Sequence, residues 1–249
     1  MKTAITINNL SKAFDGTDVF KNFSLEIEVG KITALFGPNG SGKSTLLDML
    51  SGVAKIDGGS FNIKNFKHKE FSYIFQNYRE SLFPWRTNFE NVALPLYIQG
   101  KKRNEIEKEV RSLQTLFGIE FDWDGYPYAQ SGGQQQIIAF LRALITKPKV
   151  LFVDEPFSSL DYENNLLLRK HLQTYYLTYK PTVVMITHNV EEAVYLSSKI
   201  IVLSQKPTHV VGEAENPLAY PRDIDSMKTE EFHKVKDRVL SFFQKATQI

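Results

Sequence analysis

The chain has 249 residues, enough for one or two domains of ordinary size. Its 30 basic and 28 acidic residues nearly cancel, and the net charge of +2 gives no reason to expect nucleic acid as a partner. Cysteine is absent, which excludes disulfides and thiolate metal sites, and no apolar run approaches the roughly 20 residues of a transmembrane helix.

The first strands are predicted from the alternation of apolar and polar residues. Residues 4–7 and 23–29 alternate with a period of two, as half-buried antiparallel strands do. Residues 32–36 are almost entirely apolar, a pattern typical of a strand that is buried on both faces. That strand leads into a glycine-rich loop, and residues 45–50 after the loop have a helical pattern.

Helices are predicted in the middle of the chain. Residues 103–117 carry apolar side chains at helical spacing, and Gly118 is suited to end that helix. A second helix is expected to begin at Ser131, because Gln134 stands three residues later as in a capping box. We therefore expect an inserted helical portion at about residues 77–145.

The second half of the chain has the pattern of a parallel sheet. Short apolar runs at residues 150–153 and 183–186 are separated by a predicted helix near residues 162–178, which is the βαβ arrangement. Apolar residues at helical spacing predict a last helix over residues 229–245. Since no repeat or long linker interrupts the pattern, we expect one α/β domain.

Residues 37–44 match the phosphate-binding loop pattern G-x-x-x-x-G-K-S in full. Glycines let backbone N–H groups turn toward an anion, and the following helix points its positive end at the same place. In such loops the lysine, here Lys43, reaches the β- and γ-phosphates, and the hydroxyl of Ser44 coordinates Mg²⁺. The strand and helix on either side disfavour the alternative, a glycine-rich turn that binds nothing. The residues expected to bind nucleotide here are Gly37, Pro38, Asn39, Gly40, Ser41, Gly42, Lys43, Ser44 and Thr45.

Two acids follow the apolar run at residues 150–153. In a protein with a phosphate loop, Asp154 is expected to hold Mg²⁺ and Glu155 to polarise the attacking water. Most of the charge stabilisation would come from the metal, Lys43 and the loop amides. The alternative is a solvent-exposed acid pair at a strand end, and the phosphate loop makes it the weaker interpretation.

The segment QSGGQ at residues 130–134 resembles the L-S-G-G-Q signature of the ABC ATPase family. Further positions resemble other motifs of that family in the expected order: Phe14 the adenine-stacking aromatic, Gln76 the Q-loop, residues 159–161 the D-loop and His188 the switch histidine. The resemblance covers most of the chain, and the signature is its most specific part.

The resemblance implies which residues bind and hydrolyse Mg-ATP. Phe14 would stack on adenine, Gln76 would contact Mg²⁺, and Lys43, Glu155 and His188 would be the catalytic residues. The signature would face the γ-phosphate held by a second copy, so that two ATP molecules lie across a two-fold interface. The serine of the signature, Ser131, has an alternative role as the cap of a helix, and this role does not compete with phosphate binding. The residues implied at that interface are Ser131, Gly132, Gly133, Gln134 and Asp161.

The resemblance also implies a fold and a set of partners. The fold is the α/β P-loop fold of ABC ATPases, with an antiparallel β subdomain, the inserted helical subdomain at about residues 77–145 and a helical tail at about residues 222–249, in a single domain over residues 1–249. The partners are a second copy, transmembrane permease subunits and, indirectly, an extracytoplasmic substrate-binding protein. The expected location is the cytoplasmic face of the cell membrane.

Two residues depart from the family pattern. Gln130 replaces the first leucine of the signature, and Ile137 stands where arginine is common, although Arg142 is kept. Both departures leave the serine and the glycines of the signature intact, so they bear on local helix contacts and on the hydrolysis rate.

Three functions are compatible with these motifs: an importer motor, a non-transport ABC ATPase, and a module that binds ATP with little turnover. The second is disfavoured because Lys43 and Ser131 are too close for a long inserted coiled coil. The third is disfavoured because the expected catalytic residues are all present.

Residues 81–87 resemble the segment after the Q-loop in motors of the nitrate, sulfonate and taurine importers, a family that includes importers of pyrimidine precursors. In that family Leu82, Phe83 and Trp85 would line a groove for a permease helix, and core packing is the alternative. Residues 220–223 resemble the tail of the same family. Cargo is not predicted, because other chains select it.

Overall fold

The computed structural model describes residues 2–64, 70–157 and 161–247, apart from the side chain of Arg79. The strands are β1 (Thr3–Phe14), β2 (Thr17–Glu28), β3 (Ile32–Phe36), β4 (Gly58–Ile63), β5 (Phe71–Ile74), β6 (Val150–Asp154), β7 (Thr182–Thr187), β8 (Lys199–Leu203) and β9 (Val210–Glu215). The α-helices are α1 (Lys43–Ser51), α2 (Tyr78–Ser81), α3 (Asn88–Ile98), α4 (Arg103–Phe117), α5 (Gly132–Leu144), α6 (Tyr162–Tyr179), α7 (Val190–Leu196) and α8 (Glu230–Thr247).

The smaller sheet is antiparallel and has the order β2-β1-β4. Its register pairs Ile5 with Ile27 and Ile7 with Leu25, and these apolar residues are buried. Together with α1 and one face of the larger sheet, they form a continuous apolar cluster. The two antiparallel strands predicted from alternation are therefore confirmed, and both are longer than the alternation indicated.

The larger sheet has the order β5-β6-β7-β3-β8-β9, and only β9 runs antiparallel to its neighbour. Strands β3, β6 and β7 are buried throughout, as their apolar sequences predict. Because β5, β6, β7 and β3 are parallel neighbours, the residues that follow them meet at one edge of the sheet. Ligands of open parallel sheets bind at this edge.

Helices α2 to α5 lie between β5 and β6 in the chain. Helix α4 has the predicted bounds and ends at Gly118, whose φ is 62°. Ser131 caps α5, and the predicted capping box is confirmed by reciprocal hydrogen bonds between Ser131 and Gln134. The division of the chain into subdomains within one domain stays a prediction.

The last helix, α8, was predicted for residues 229–245 and is found at Glu230–Thr247. It packs on β8, β9 and α7 through an apolar face that includes Phe232 and Val239. Its position depends on Gly212 in β9, because a Cβ atom there would lie 2.4 Å from the ring of Phe242. Across the described ranges, no helix combines the length and the apolar character that crossing a bilayer requires.

Candidate functional site

The glycine-rich loop follows β3 and is fixed by close packing. Gly42 has a φ of 92°, and a Cβ atom there would lie 2.4 Å from Cγ1 of Val19. A Cβ atom on Gly37 would lie 2.7 Å from the carbonyl oxygen of Leu203. Any side chain at these two positions would displace the loop, so their glycines are required by geometry as well as by the phosphate-binding pattern.

Lys43 begins α1 and is 5% exposed. Its ammonium donates to the carbonyl oxygens of Gly37 and Pro38 at 2.9 and 2.7 Å. Burial lowers the pKa of Lys43, while the carboxylates of Glu155 and Asp154 act in the opposite direction. The cation is thus held inside the loop, at the place where phosphates would bind to the N-terminus of α1.

Asp154 ends β6 with a carboxylate that is 6% exposed. One oxygen, Oδ2, accepts from the hydroxyl of Tyr73 at 3.4 Å, and Oδ1 is buried without a hydrogen-bond partner among the described residues. Burial is the main cause that raises the pKa of Asp154, and a hydrogen bond from the Ser44 hydroxyl opposes it.

The side chains of Asp154 and Ser44 fit a magnesium ion. A buried, unpartnered carboxylate oxygen beside a hydroxyl is a suitable pair of hard ligands, and Mg²⁺ takes its remaining ligands from water and phosphates. In the part of the chain that the structure describes, no group of three or more His, Cys, Asp or Glu could hold a metal ion by itself.

Glu155 lies directly after β6, and its carboxylate contacts two other predicted site residues. Its Oε2 lies 2.9 Å from Nδ1 of His188, which follows β7, and accepts from Nε2 of Gln76, which follows β5, at 3.3 Å. The neighbouring strands therefore bring Gln76, Glu155 and His188 together as the sheet order requires. A carboxylate at this position, held by an imidazole, is suited to accept a proton from water.

The signature residues lie at the start of α5. Ser131 Oγ accepts from the backbone N–H of Gln134 at 3.3 Å, and Gln134 Oε1 accepts from the N–H of Ser131 at 3.0 Å. A Cβ atom on Gly133 would lie 2.6 Å from the side chain of Asn164, which donates to Asp161 at 2.7 Å. The structure thus places the signature beside the cap of α6. Gly132 is the first residue of α5.

Phe14 ends β1 and is 49% exposed. The ammonium of Lys12 lies 5.0 Å from the centre of its ring, and Asp57 pairs with Lys12 at 2.7 Å. An exposed ring is available for stacking. Among the described residues, no hydrogen bond connects Phe14 or Ser131 with the glycine-rich loop.

The other predicted site residues differ in their exposure and contacts. Asn39 and Gly40 are exposed at the tip of the loop, Ser41 is buried and Pro38 is partly buried. On α1, Ser44 is exposed and Thr45 is partly buried. Asp161 accepts from the backbone N–H of Asn164 as the cap of α6. Ser159 and Leu160, predicted with Asp161 in the D-loop, lie outside the described residues.

The structure also shows contacts at the site that sequence reasoning missed. The hydroxyl of Tyr73 donates to Asp48 at 3.2 Å as well as to Asp154. Thr208 donates a hydrogen bond to the carbonyl oxygen of Ser41, and Gln136 donates one to that of Pro156. No sequence signal identifies these partners, because each contact joins segments that are distant in the chain.

Comparison with known proteins gives the family. The model of the ABC transporter family matches residues 20–158. An aliphatic sulfonates import ATP-binding protein of Bacillus cereus is 36% identical over 252 residues, which cover 96% of each chain. A sulfate/thiosulfate import ATP-binding protein of Halalkalibacterium halodurans is 35% identical over 230 residues, 88% of this chain and 64% of that protein.

Solved structures agree with the sequence comparisons. The dimeric structure of MJ0796, a bacterial ABC transporter cassette, is 28% identical, with a TM-score of 0.74, and the match covers 86% of this chain and 100% of that one. The same cassette in a post-hydrolysis state bound to ADP and Pi gives 27% identity and a TM-score of 0.74. The chain therefore belongs to the ABC transporter family and is one of its ATP-binding, ATP-hydrolysing cassettes.

Proposed function

We propose that this chain is the motor of an ABC importer and that Glu155 and His188 form its hydrolytic pair. The observation that carries the proposal is their 2.9 Å contact at the edge where β6 and β7 end. Glu155 would accept the proton of the attacking water, and His188 would hold that carboxylate and contact the γ-phosphate. Lys43 would bind the β- and γ-phosphates from the start of α1.

The remaining site residues would bind the nucleotide and its metal. Asp154 and Ser44 would hold Mg²⁺, which would neutralise charge on the phosphates, and Gln76 would contact the same ion. The loop amides of residues 37–45 would surround the phosphates. Phe14, exposed beside Lys12, would stack on adenine.

The signature would act on ATP that another copy holds. Ser131 lies at the N-terminus of α5, a position suited to bind an anion such as the γ-phosphate. A relative of the same fold forms a dimer. We infer a two-fold dimer in which Ser131, Gly132, Gly133 and Gln134 of each copy face the nucleotide of the other, near Asp161.

An apolar groove of about 510 Å³ next to Gln76 would receive the permease. Its lining includes exposed apolar side chains such as Phe75 and Ile98, at 45% and 78% exposure. A surface of this kind suits an amphipathic helix. Because Gln76 directly follows Phe75 and donates to Glu155, a helix in the groove would be close to the hydrolytic pair.

Of the three residues expected to line this groove, two lie outside its lining. Phe83 is partly buried and lines it, with the guanidinium of Arg142 5.8 Å from its ring. Leu82 is 7% exposed and packs in the core instead, so its expected place in the groove is wrong. Trp85 is 71% exposed and contacts Phe83 at 5.5 Å between ring centres, outside the groove lining.

The relatives suggest the kind of cargo and the location. Since related proteins are named for the import of sulfonates and sulfate, we propose a small solute such as a sulfonate, with nitrate and pyrimidine precursors as alternatives from the resemblance. The motor would lie at the cytoplasmic face of the membrane, and an extracytoplasmic substrate-binding protein would deliver the cargo. The choice of cargo would belong to those partners.

The test is recovery of the tagged chain from gently solubilised native membranes, followed by mass spectrometry. We expect a polytopic membrane protein to be recovered with the parent chain. Ile98→Asp should reduce its recovery strongly, because a charge would then lie in the apolar groove. Val53→Asp, also at an exposed apolar side chain but outside the groove lining, is the matched control and should retain it.

Recovery of soluble partners alone, with membrane proteins present in the extract, would instead support a non-transport ABC ATPase. Equal recovery with the parent and with Ile98→Asp would overturn the groove assignment while keeping the transporter assignment.

A further inference from the structure

A buried ion pair joins α6 to α7, the helix that begins just after His188. Arg169 of α6 donates to Glu192 of α7 at 2.8 Å, and both side chains are 9% exposed. Removing two charges from water costs more than their attraction often returns, so a buried pair needs a reason beyond stability. Here the cost is increased by Nε of Arg169, which has no acceptor among the described residues.

The second oxygen of Glu192 fixes the backbone on both sides of His188. Glu192 Oε2 accepts from the hydroxyl of Thr187 at 2.6 Å, and the same hydroxyl oxygen accepts from the N–H of Asn189 at 3.0 Å. His188 lies between these two anchored residues. Its imidazole is 51% exposed and has little packing of its own to hold it, so its position depends on this backbone.

Arg169 also contacts the segment that follows Glu155. Its guanidinium lies 5.7 Å from the ring centre of Phe157, two residues after Glu155, and 5.9 Å from that of Tyr195 in α7. Phe157 is 2% exposed, and its carbonyl oxygen accepts from Asn165 of α6. One buried cation is therefore in contact with the segments that carry both members of the hydrolytic pair.

We propose that Arg169 and Glu192 are positioning residues for hydrolysis. They act through Thr187 and Phe157 to hold the imidazole of His188 and the carboxylate of Glu155 at hydrogen-bonding distance. Neither residue touches nucleotide. Their loss changes the chemical step and leaves nucleotide binding by the glycine-rich loop unchanged, because small displacements of catalytic groups reduce the rate strongly. This inference rests on the roles proposed above for Glu155 and His188.

The first test is Glu192→Gln in the full chain, assembled with its membrane partner. The variant keeps the size of the side chain and removes its charge, so Arg169 and Thr187 can no longer both be satisfied. We expect kcat to fall by about tenfold at saturating ATP, a modest part of what misplacement of catalytic groups can cost. The Kd for ATP should stay within about twofold of the parent value, and the ATP-bound dimer should persist longer.

A second variant separates positioning from folding. Arg169→Met combined with Glu192→Leu replaces the ion pair by apolar side chains, a change that often preserves or increases stability. Thr187 then has no acceptor, so we expect a parent-like Tm together with the same fall in kcat. The matched control is Gln173→Leu, because Gln173 is a buried polar residue of α6 that exchanges hydrogen bonds with Arg222. This substitution should lower Tm without lowering kcat.

The outcomes distinguish this inference from the assignment on which it rests. Unchanged kcat in both Glu192 variants, with Glu155→Gln inactive, would overturn the positioning role alone. The positioning role would also be overturned if Gln173→Leu lost kcat in the same proportion to its loss of Tm as the Glu192 variants do. The fall in kcat would then be an effect of folding. If Glu155→Gln and His188→Ala hydrolysed ATP at the parent rate, the proposed hydrolytic pair itself would be wrong.

Discussion

Glu155 has a backbone conformation that is unusual for its residue type. Its φ is 42°, in the left-handed region, and its N–H donates to the carbonyl oxygen of Ile186 at 3.1 Å. Such a conformation costs on the order of 1 kcal/mol or more and persists only where surrounding contacts impose it. At this residue it turns the side chain from the end of β6 toward His188 and Gln76, which is the orientation that the proposed hydrolytic pair needs.

At the residue scale we predict that Glu155→Gln keeps ATP binding and loses turnover. The amide cannot accept a proton from water, and general-base assistance is worth about 10²- to 10⁴-fold in rate. Steady-state ATPase assays and nucleotide titrations measure the two quantities separately. Parent-like turnover would remove Glu155 from its proposed role.

Lys43→Ala is the contrasting variant at the same scale. Lys43 supplies the buried cation of the phosphate loop, so its loss should weaken ATP binding by at least about tenfold, the value of one charge-assisted contact. Equilibrium titration with ATP measures the change. An unchanged affinity would contradict the assignment of the phosphate loop.

Among the helices, α7 has an unusual amount of polar support at both ends. Asn189 caps its start by accepting from the N–H groups of Glu191 and Glu192. Arg222, 3% exposed, donates at its end to the carbonyl oxygens of Val194, Tyr195 and Ser197. The tail segment that carries Arg222 therefore contributes to the stability of α7.

We predict that Arg222→Ala lowers the free energy of unfolding by at least about 2 kcal/mol, because the carbonyl oxygens of Tyr195 and Leu218 would lose the guanidinium that donates to them. Denaturant unfolding followed by circular dichroism measures the change. Arg238→Ala, which removes an arginine from the solvent-facing part of α8, should change stability by less than about 0.5 kcal/mol. Equal effects of the two variants would show that Arg222 does not support α7.

A buried histidine of α6, His171, should make the stability of the fold depend on pH. His171 is 3% exposed against Phe117 of α4, and burial lowers its pKa from 6.5 to about 4. Between these pH values the unfolded chain binds a proton that the folded chain does not bind. Stability from this histidine is therefore present above about pH 6.5 and is lost as the pH falls toward 4.

We accordingly expect His171→Phe to lose less Tm between pH 7 and pH 5 than the parent chain. Thermal unfolding at the two pH values tests this, and His233→Gln on the exposed face of α8 should behave like the parent. The same loss in the parent and in His171→Phe would show that His171 does not cause the pH dependence.

The buried strands that lead into the site were largely predictable, whereas most supporting contacts were not. Apolar runs before residues 37 and 154 indicated buried parallel strands, and the ends of such strands meet at one edge. The contact of Thr208 with Ser41 joins residues 167 positions apart, and that of Tyr73 with Asp154 joins residues 81 apart. Contacts of this kind depend on three-dimensional packing, which local sequence patterns do not report. The sequence pattern likewise did not show that Leu82 is buried in the core and lies outside the groove, because its burial also depends on three-dimensional packing.

At the scale of the whole molecule, the proposed dimer would assemble each ATP site from the glycine-rich loop of one copy and the signature of the other. The glycine-rich loop and the hydrolytic pair lie at the edge of the larger sheet, while Ser131 begins a helix of the inserted portion. Turnover should therefore require two copies, and the rate per chain should rise with protein concentration. The groove beside Gln76 would then connect this dimer to a membrane partner.

The most direct test of this account is the molecular mass of Glu155→Gln in solution with and without Mg-ATP, measured by sedimentation equilibrium. We predict the single-chain mass of 28.5 kDa without nucleotide and twice that mass with Mg-ATP, because the trapped ATP would hold two copies together. Ser131→Arg, which places a bulky side chain in the signature, should bind ATP and remain a single chain. A Glu155→Gln chain that binds ATP and stays at 28.5 kDa would contradict the shared ATP site.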